Sequence, residues 1–264
     1  MERIIISKND LKCFDLKRII HCESSLYRYQ DMVIKIFNDQ SKNNILRKER
    51  LVTLLNEQKE SLNLPELIIP NAFVKTDDNQ NGLLSPFNEG TNAKIILSSK
   101  DIPLSKKIEV LRLMGSLINK LKKKGNIAIG DFYEDNFGYL NGKLVVYDTD
   151  SISLDDIINP ASKYVQLNPN LKGLENKYPV NVYGVNEANL NSDILSFIMI
   201  ILKVISNDEL HILSYDEYMH YLDYLCKLGF DSNLLNSFAK IYSQDDNINP
   251  LPYLKENSFH FPLK

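Results

Sequence analysis

The chain has no tryptophan, three cysteines and four histidines in 264 residues. Cys13, Cys22 and Cys226 are odd in number and far apart, so they make neither a zinc spacing nor a disulfide framework, and reduced thiols in a cytoplasmic setting are expected. His21, His211, His220 and His260 are scattered with no pair at ligand spacing, which removes a histidine metal centre from consideration. No nucleophile-elbow serine and no G-x-x-x-x-G-K-[ST] loop is present. The longest apolar run, Ile194 to Ile205, is interrupted by Ser196 and Lys203 and is too short to span a bilayer, so it predicts a buried core helix. Met1 to Ile6 is too short in apolar length for a signal peptide. A net charge of −3 supplies no pull toward nucleic acid or an anionic membrane, and neither is expected as a partner. With 44% hydrophobic and 25% charged residues, the composition is that of an ordinary globular protein. The length suits one large domain or two lobes.

The first third reads as strands around one helix. Lys17 to Ile20, Leu26 to Tyr29 and Met32 to Phe37 are β-rich, with Gln30-Asp31 as a turn between the last two. Asn43 to Lys59 carries Ile45, Leu46, Val52 and Leu55 at helical spacing among charges. Phe73 to Lys75 and Gly82 to Phe87 read as two more strands joined by a polar loop. From Ser105 onward helices dominate. Ile108, Leu111, Leu113, Met114, Leu117, Ile118 and Leu121 make a long amphipathic helix, and Lys122-Lys123-Lys124-Gly125 ends it with a basic last turn and a glycine cap. Further helices are expected at Asp193–Val204, Tyr215–Leu228 and Ser232–Tyr242, after a long polar segment from Ser151 to Leu190 with little periodicity. The fold class expected is α+β, with a β-rich small lobe over 1–87 and a mostly helical large lobe over 88–264.

The chemistry concentrates in Gly130-Asp131-Phe132-Tyr133-Glu134-Asp135-Asn136 and Val145-Val146-Tyr147-Asp148-Thr149-Asp150. Between them, Leu140-Asn141-Gly142-Lys143 reads as a hairpin turn, because Asn-Gly accepts the positive φ that tight turns need. A hairpin would let Asp131, Asn136 and Asp148 converge on one volume. Oxygen donors without Cys or His suit a hard cation such as Mg²⁺, and hence a phosphate substrate. Lys35 stands alone in the apolar strand Met32-Val33-Ile34-Lys35-Ile36-Phe37, where a lysine is costly unless it meets an anionic or solvated site. Glu49, three residues from both Leu46 and Val52, is the expected partner of Lys35, with Glu57 as the alternative. Asp193 opens an apolar helix in Ser192-Asp193-Ile194-Leu195-Ser196-Phe197, which also suits a helix N-cap.

Together these residues resemble the protein-kinase-like superfamily. D-x-x-x-x-N followed by D-F-G matches Asp131, Asn136 and Asp148, and the strand lysine of V-A-I-K matches Lys35. Ser192 to Phe197 is similar to the S-D-x-x-S-F opening of that family's central large-lobe helix, whose aspartate accepts from the catalytic-loop backbone. Asp148-Thr149-Asp150-Ser151 is similar to a bacterial Ser/Thr kinase subgroup with D-x-D-S. The resemblance implies a two-lobed fold with an antiparallel small-lobe sheet and one helix, and ATP bound between the lobes. It implies a hinge near residues 84–91, Lys35, Ser24, Ser85 and Phe87 on the nucleotide, and Asn136, Asp148 and Asp150 on Mg²⁺ (or Mn²⁺). Asp131 would take the acceptor's proton, with Lys35 and Glu49 as the remaining catalytic pair, and a protein hydroxyl is the expected acceptor. An aminoglycoside-type small-molecule kinase and a nucleotide-binding pseudokinase are the alternatives.

The pattern departs from the family in four places. The phosphate loop, His21-Cys22-Glu23-Ser24-Ser25, has no glycine. Tyr133 stands where many kinases carry lysine, and Gly130 where they carry arginine. Arg112 is the last arginine in the chain, so no later residue can build an arginine–glutamate brace or an arginine phosphate-docking site, and no A-P-E run is present. Activity switched by phosphorylation of Ser153, Ser162 or their neighbours is therefore not expected.

Overall fold

The computed structural model describes residues 1–13, 24–206, 213–244 and 248–254. The expected strand Lys17 to Ile20 and positions His21 to Glu23 of the expected phosphate loop lie outside the described residues. The architecture is mixed α+β, in two compact units. One comprises Met1–Glu89 with Val146–Asp150, the other Gly90–Val145 with Ser151–Lys264.

The first unit is built on a six-stranded sheet. Its strands are β1 (Glu2–Ile6), β2 (Lys12–Cys13), β3 (Ser24–Tyr29), β4 (Met32–Phe37), β5 (Ala72–Thr76) and β6 (Asn81–Pro86), in the order β1-β5-β6-β4-β3-β2. The helices α1 (Lys42–Glu57) and α2 (Lys59–Leu62) lie between β4 and β5 in the chain. The β3–β4 hairpin turns at Gln30, whose φ is 54°. Two features differ from the expected antiparallel sheet with one helix. β1 pairs with β5 in parallel, which makes the sheet mixed. The helix is also divided at Gln58, whose amide closes the last turn of α1 onto Leu54 and Asn56 carbonyls.

The sheet is apolar on both faces. Ile34 and Ile36 of β4 pack with Ile6, Ala72, Val74 and Leu84, while Phe37 packs with Val52, Phe73 and Leu83. Alternation along β4 puts Lys35 on the Phe37 side, the side that meets Val52 of α1. At Gly82, opposite Ile36, the backbones approach so closely that a Cβ would lie 2.3 Å from the Lys35 carbonyl oxygen, which is why glycine stands there.

The second unit contains β7 (Thr91–Asn92), α3 (Ala93–Ser98), α4 (Leu104–Lys124), β8 (Ile127–Ala128), β9 (Phe137–Leu140), β10 (Lys143–Val146, whose last residue clusters with the first unit) and β11 (Ser153–Leu154). These are followed by α5 (Lys163–Gln166), α6 (Leu190–Ser206), α7 (Tyr215–Lys227) and α8 (Ser232–Ala239). The expected Asn-Gly hairpin is present: Asn141 and Gly142 have φ of 49° and 79° between β9 and β10. Gly125, with φ 81°, caps α4 after its three lysines. α6 is buried on every side from Ser192 to Leu202, and no helix among the described residues is long and apolar enough to cross a membrane.

The stretch from Ser151 to Leu190 is less polar in its packing than its sequence suggests. Ile152, Leu154, Ile157, Tyr164, Val165 and Tyr178 are buried there at irregular spacing. Asn159 supports this turn-rich backbone through its amide, which donates to the Ile152 carbonyl at 2.6 Å.

Candidate functional site

In the first unit, the segment Val146–Asp150 is stitched to residues 66–68. The Val146 amide donates to the Glu66 carbonyl at 2.8 Å and the Ile68 amide to the Val146 carbonyl at 3.1 Å. The Thr149 hydroxyl donates to the Ile68 carbonyl at 2.9 Å. These bonds deliver two carboxylates to the strand lysine. Lys35 Nζ donates to Asp148 Oδ1 at 2.5 Å and to Asp150 Oδ1 at 2.7 Å, and Lys48 Nζ of α1 donates to Asp150 Oδ2 at 2.5 Å. Two lysines and two aspartates thus form one nearly neutral cluster.

The electrostatics divide the two acids. Burial pushes Asp148 up to about 7, the negative charge of Asp150 pushes the same way, and Lys35 only partly offsets them. Burial also works against Asp150, but Lys35 and Lys48 outweigh it and hold that carboxyl well below the usual range. Lys35 is held above the ordinary lysine range, because the two carboxylates overcome its desolvation. Lys35 is shared between the two acids while Lys48 bonds Asp150, so Asp150 receives the larger share of the positive charge.

The structure does not bring Glu49 to Lys35. Glu49 pairs with Arg3, and Leu46, taken in the sequence as marking the inward face, is 51% exposed. The buried stripe of α1 is Lys48, Leu51, Val52 and Leu55, at the i, i+3, i+4, i+7 spacing of one helix face. The turn of α1 that was expected to carry a carboxylate toward Lys35 therefore carries an ammonium. Glu57 is exposed. Of the other expected nucleotide residues, Ser24 is buried opposite Phe37 in the β3–β4 register, and Ser85 lies opposite Val33 in β4–β6. The Phe87 amide donates to the Asp31 carbonyl at 3.1 Å, with the Arg28 guanidinium 4.5 Å above its ring.

The second unit holds Asp131 and Asn136 together. The Asn136 amide nitrogen donates to Asp131 Oδ2 at 2.8 Å and to the Asp131 carbonyl at 2.9 Å, across a short 3₁₀ turn at Glu134–Asn136. Phe132 and Phe137 anchor this loop, with ring centroids 4.7 Å apart and Phe132 also 6.2 Å from Phe197 of α6. Asp193 tethers the start of the loop from α6. Its Oδ2 accepts from the Ile129 amide at 2.7 Å and its Oδ1 from the Gly130 amide at 3.1 Å. The side chain is fully buried, and burial pushes its pKa up to about 7 against the pull of the two amides, with Asp131's charge adding to the rise. Gly130 has φ 78°, and a Cβ there would lie 2.3 Å from the Ser151 carbonyl oxygen. Glycine is therefore a steric requirement of the turn before Asp131.

No protein-family model matches this chain, and no curated protein matches it.

A second network here was not anticipated. Glu134 is buried and accepts from Lys203 Nζ at 2.6 Å and from the Tyr164 hydroxyl at 3.1 Å. Lys203, read in the sequence only as an interruption of an apolar run, was the available signal, since a lysine on a core helix needs an anionic partner. Asp135 pairs with Lys94 at 2.8 Å.

Among the described residues no three of His, Cys, Asp and Glu gather as a metal-binding group. The oxygen donors of Asp148 and Asn136 have the hardness that Mg²⁺ requires. Asp150 fits that role less well, because each of its oxygens accepts from an ammonium. Its geometry is that of an anchor for Lys35 and Lys48.

Proposed function

We propose that this protein is an ATP- and Mg²⁺-dependent phosphotransferase of protein-kinase-like architecture, acting on a Ser or Thr hydroxyl of a protein. The observation that carries the reading is the meeting of Lys35 with Asp148 and Asp150, more than a hundred residues away in the chain. A lone lysine in a core strand and an acidic D-x-D segment are each explicable separately, but their meeting puts the cation that would serve the phosphates beside the acid that would serve the metal, two parts that phosphoryl transfer needs close together. The Asp131–Asn136 bond and the tether of Asp193 to the backbone before Asp131 add to it.

In this reading Lys35 neutralises nucleotide phosphate oxygens. Asp148 and Asn136 would hold Mg²⁺, which would supply charge neutralisation on the phosphates. Asp131 orients the acceptor hydroxyl and takes its proton, and the Asn136 amide fixes the carboxylate for that task. Asp193 holds the loop backbone in place.

A nucleotide-binding pseudokinase is the second reading. It is favoured by Lys48, which brings a positive charge where a carboxylate partner for Lys35 was expected, and by the ion-pair cluster around Asp150. Incubation with labelled ATP and Mg²⁺ or Mn²⁺ separates the two. Label on protein that disappears in Asp131→Ala and Asp148→Ala supports transfer to protein, and label on a small acceptor moves the assignment to a small-molecule kinase. Nucleotide-dependent thermal stabilisation with no transfer to either acceptor favours the pseudokinase.

A further inference from the structure

The start of α4 carries two uncompensated electrostatic costs. Its N-cap is Pro103, which has no side-chain oxygen, and no side chain caps the first-turn amides of Leu104 and Ser105. The first turn contains no acid and two lysines, Lys106 and Lys107, opposite to what the positive end of a helix favours. Lys106 is compensated by Glu109 at 3.0 Å and by the Tyr139 hydroxyl. Lys107 is not. It is 8% exposed, and no hydrogen bond or ion pair reaches its ammonium. Its burial lowers its pKa from the ordinary lysine value, with no carboxylate to counter the shift.

Side chains of a helix lean toward its N-terminus, and Lys107 lines an open depression of about 440 Å³ at that end of α4, walled also by Lys100, Pro103, Leu104 and Val204. Asp101 is the one acid among its described lining residues, against two lysines. A largely buried lysine whose ammonium opens on the depression without a hydrogen-bond partner, and first-turn amides without a side-chain cap, present donors that one anion would answer together.

We infer that this depression is a phosphate-binding site, in which a phosphate oxyanion is seated on the amides of Leu104 and Ser105 and held by Lys107, with Lys100 beside it. Two lysines and a helix N-terminus suit a dianion better than a carboxylate. Inorganic phosphate and the phosphate of a small monoester share that chemistry. The site belongs to the second unit and does not depend on the phosphotransferase reading.

Thermal unfolding of the full chain, in potassium phosphate against potassium chloride at equal ionic strength, tests the inference. Phosphate should raise the midpoint saturably. The rise should be lost in Lys107→Met, kept in Lys107→Arg, and kept in Lys35→Met, whose lysine belongs to the other unit. In phosphate-free buffer Lys107→Met should be at least as stable as wild type, because it keeps the aliphatic stem and removes the unpaired charge. A wild-type midpoint insensitive to phosphate, or an equal rise in Lys107→Met, overturns the inference. A measurement that needs no variant is acylation of wild-type lysines by an N-hydroxysuccinimide ester, followed by peptide mass spectrometry. Phosphate should protect Lys107 where chloride does not, and equal labelling in the two salts overturns the site. Glycerol phosphate shifting the midpoint further than inorganic phosphate would assign the site to a monoester, and the reverse order to the free ion.

Discussion

Individual residues decide the electrostatics of this protein, and Asp193 shows how. Its carboxyl is buried and titrates near 7 in the folded chain, above its ordinary range, so the fold binds its proton more tightly than the unfolded chain does. The associated stability is therefore present in full below about pH 4 and is lost as pH rises through about 7. Asp193→Asn removes that titration but puts an NH₂ group against one of two backbone donors, at a cost of about 1–3 kcal/mol. Urea unfolding should show the variant further below wild type at about pH 5 than at about pH 8. At Lys48, substitution by Met leaves Asp150 with Lys35 as its remaining cation. Lys48→Met should lower stability by about 3–5 kcal/mol, as breaking a buried pair does. Lys48→Glu should be worse, since it adds a third carboxylate to the cluster. Chemical denaturation at neutral pH measures both. A Lys48→Glu variant more stable than wild type would mean that α1 can accept the carboxylate expected from its sequence.

At the scale of elements, two glycines hold geometry that no other residue supplies. Gly130 combines a positive φ with a 2.3 Å approach of its would-be Cβ to the Ser151 carbonyl, so Gly130→Ala should cost several kcal/mol by displacing the backbone before Asp131. Gly142 has a positive φ in the hairpin turn but open space around it, and Gly142→Ala should cost about 1 kcal/mol from backbone strain alone. Thermal melts of the two variants side by side check that ordering. The hairpin and the long helices were legible in the sequence because their signals are local: Asn-Gly at the turn, and apolar residues three and four apart in α4 and α6. β1 was not. Nothing local to its Ile4-Ile5-Ile6 run indicates that it pairs in parallel with a strand about seventy residues later. The Ser151–Leu190 stretch failed for the opposite reason, since its buried residues follow turns and bridges and have no period to detect.

The whole molecule bears on regulation. Ser153 and Ser162, two of the serines that follow the Asp148 segment, are both buried. The Ser153 hydroxyl oxygen accepts from the Asn159 amide at 2.8 Å, and Ser162 bonds Ser196 of α6 at 2.6 Å. Neither hydroxyl is presented to an enzyme in the folded chain. Arg112, the last arginine, donates to the Leu254 carbonyl at 2.7 Å. Phosphatase treatment of purified protein should therefore leave any phosphotransferase rate unchanged, and an order-of-magnitude loss would disprove the unswitched reading. In Asp131→Asn, transfer should fall by about a hundredfold or more while the folded state persists, as a radiolabel assay beside a melt can establish.

Residue type and spacing by themselves singled out Lys35, Asp131, Asn136, Asp148 and Asp193 as candidates, because each is costly or idle in its local context without a partner. They also determined the helices and the turn, whose causes lie within a few residues along the chain. The tertiary structure alone decided which charge meets which. Rotation of α1 about its axis puts Lys48 rather than Glu49 on the buried face, and the bonds of Val146 and Thr149 to residues 66–68 bring Asp150 to two lysines. The open depression beside the unpaired Lys107 was likewise beyond the sequence, since burial without a partner is a property of the neighbours, which only the folded chain assembles.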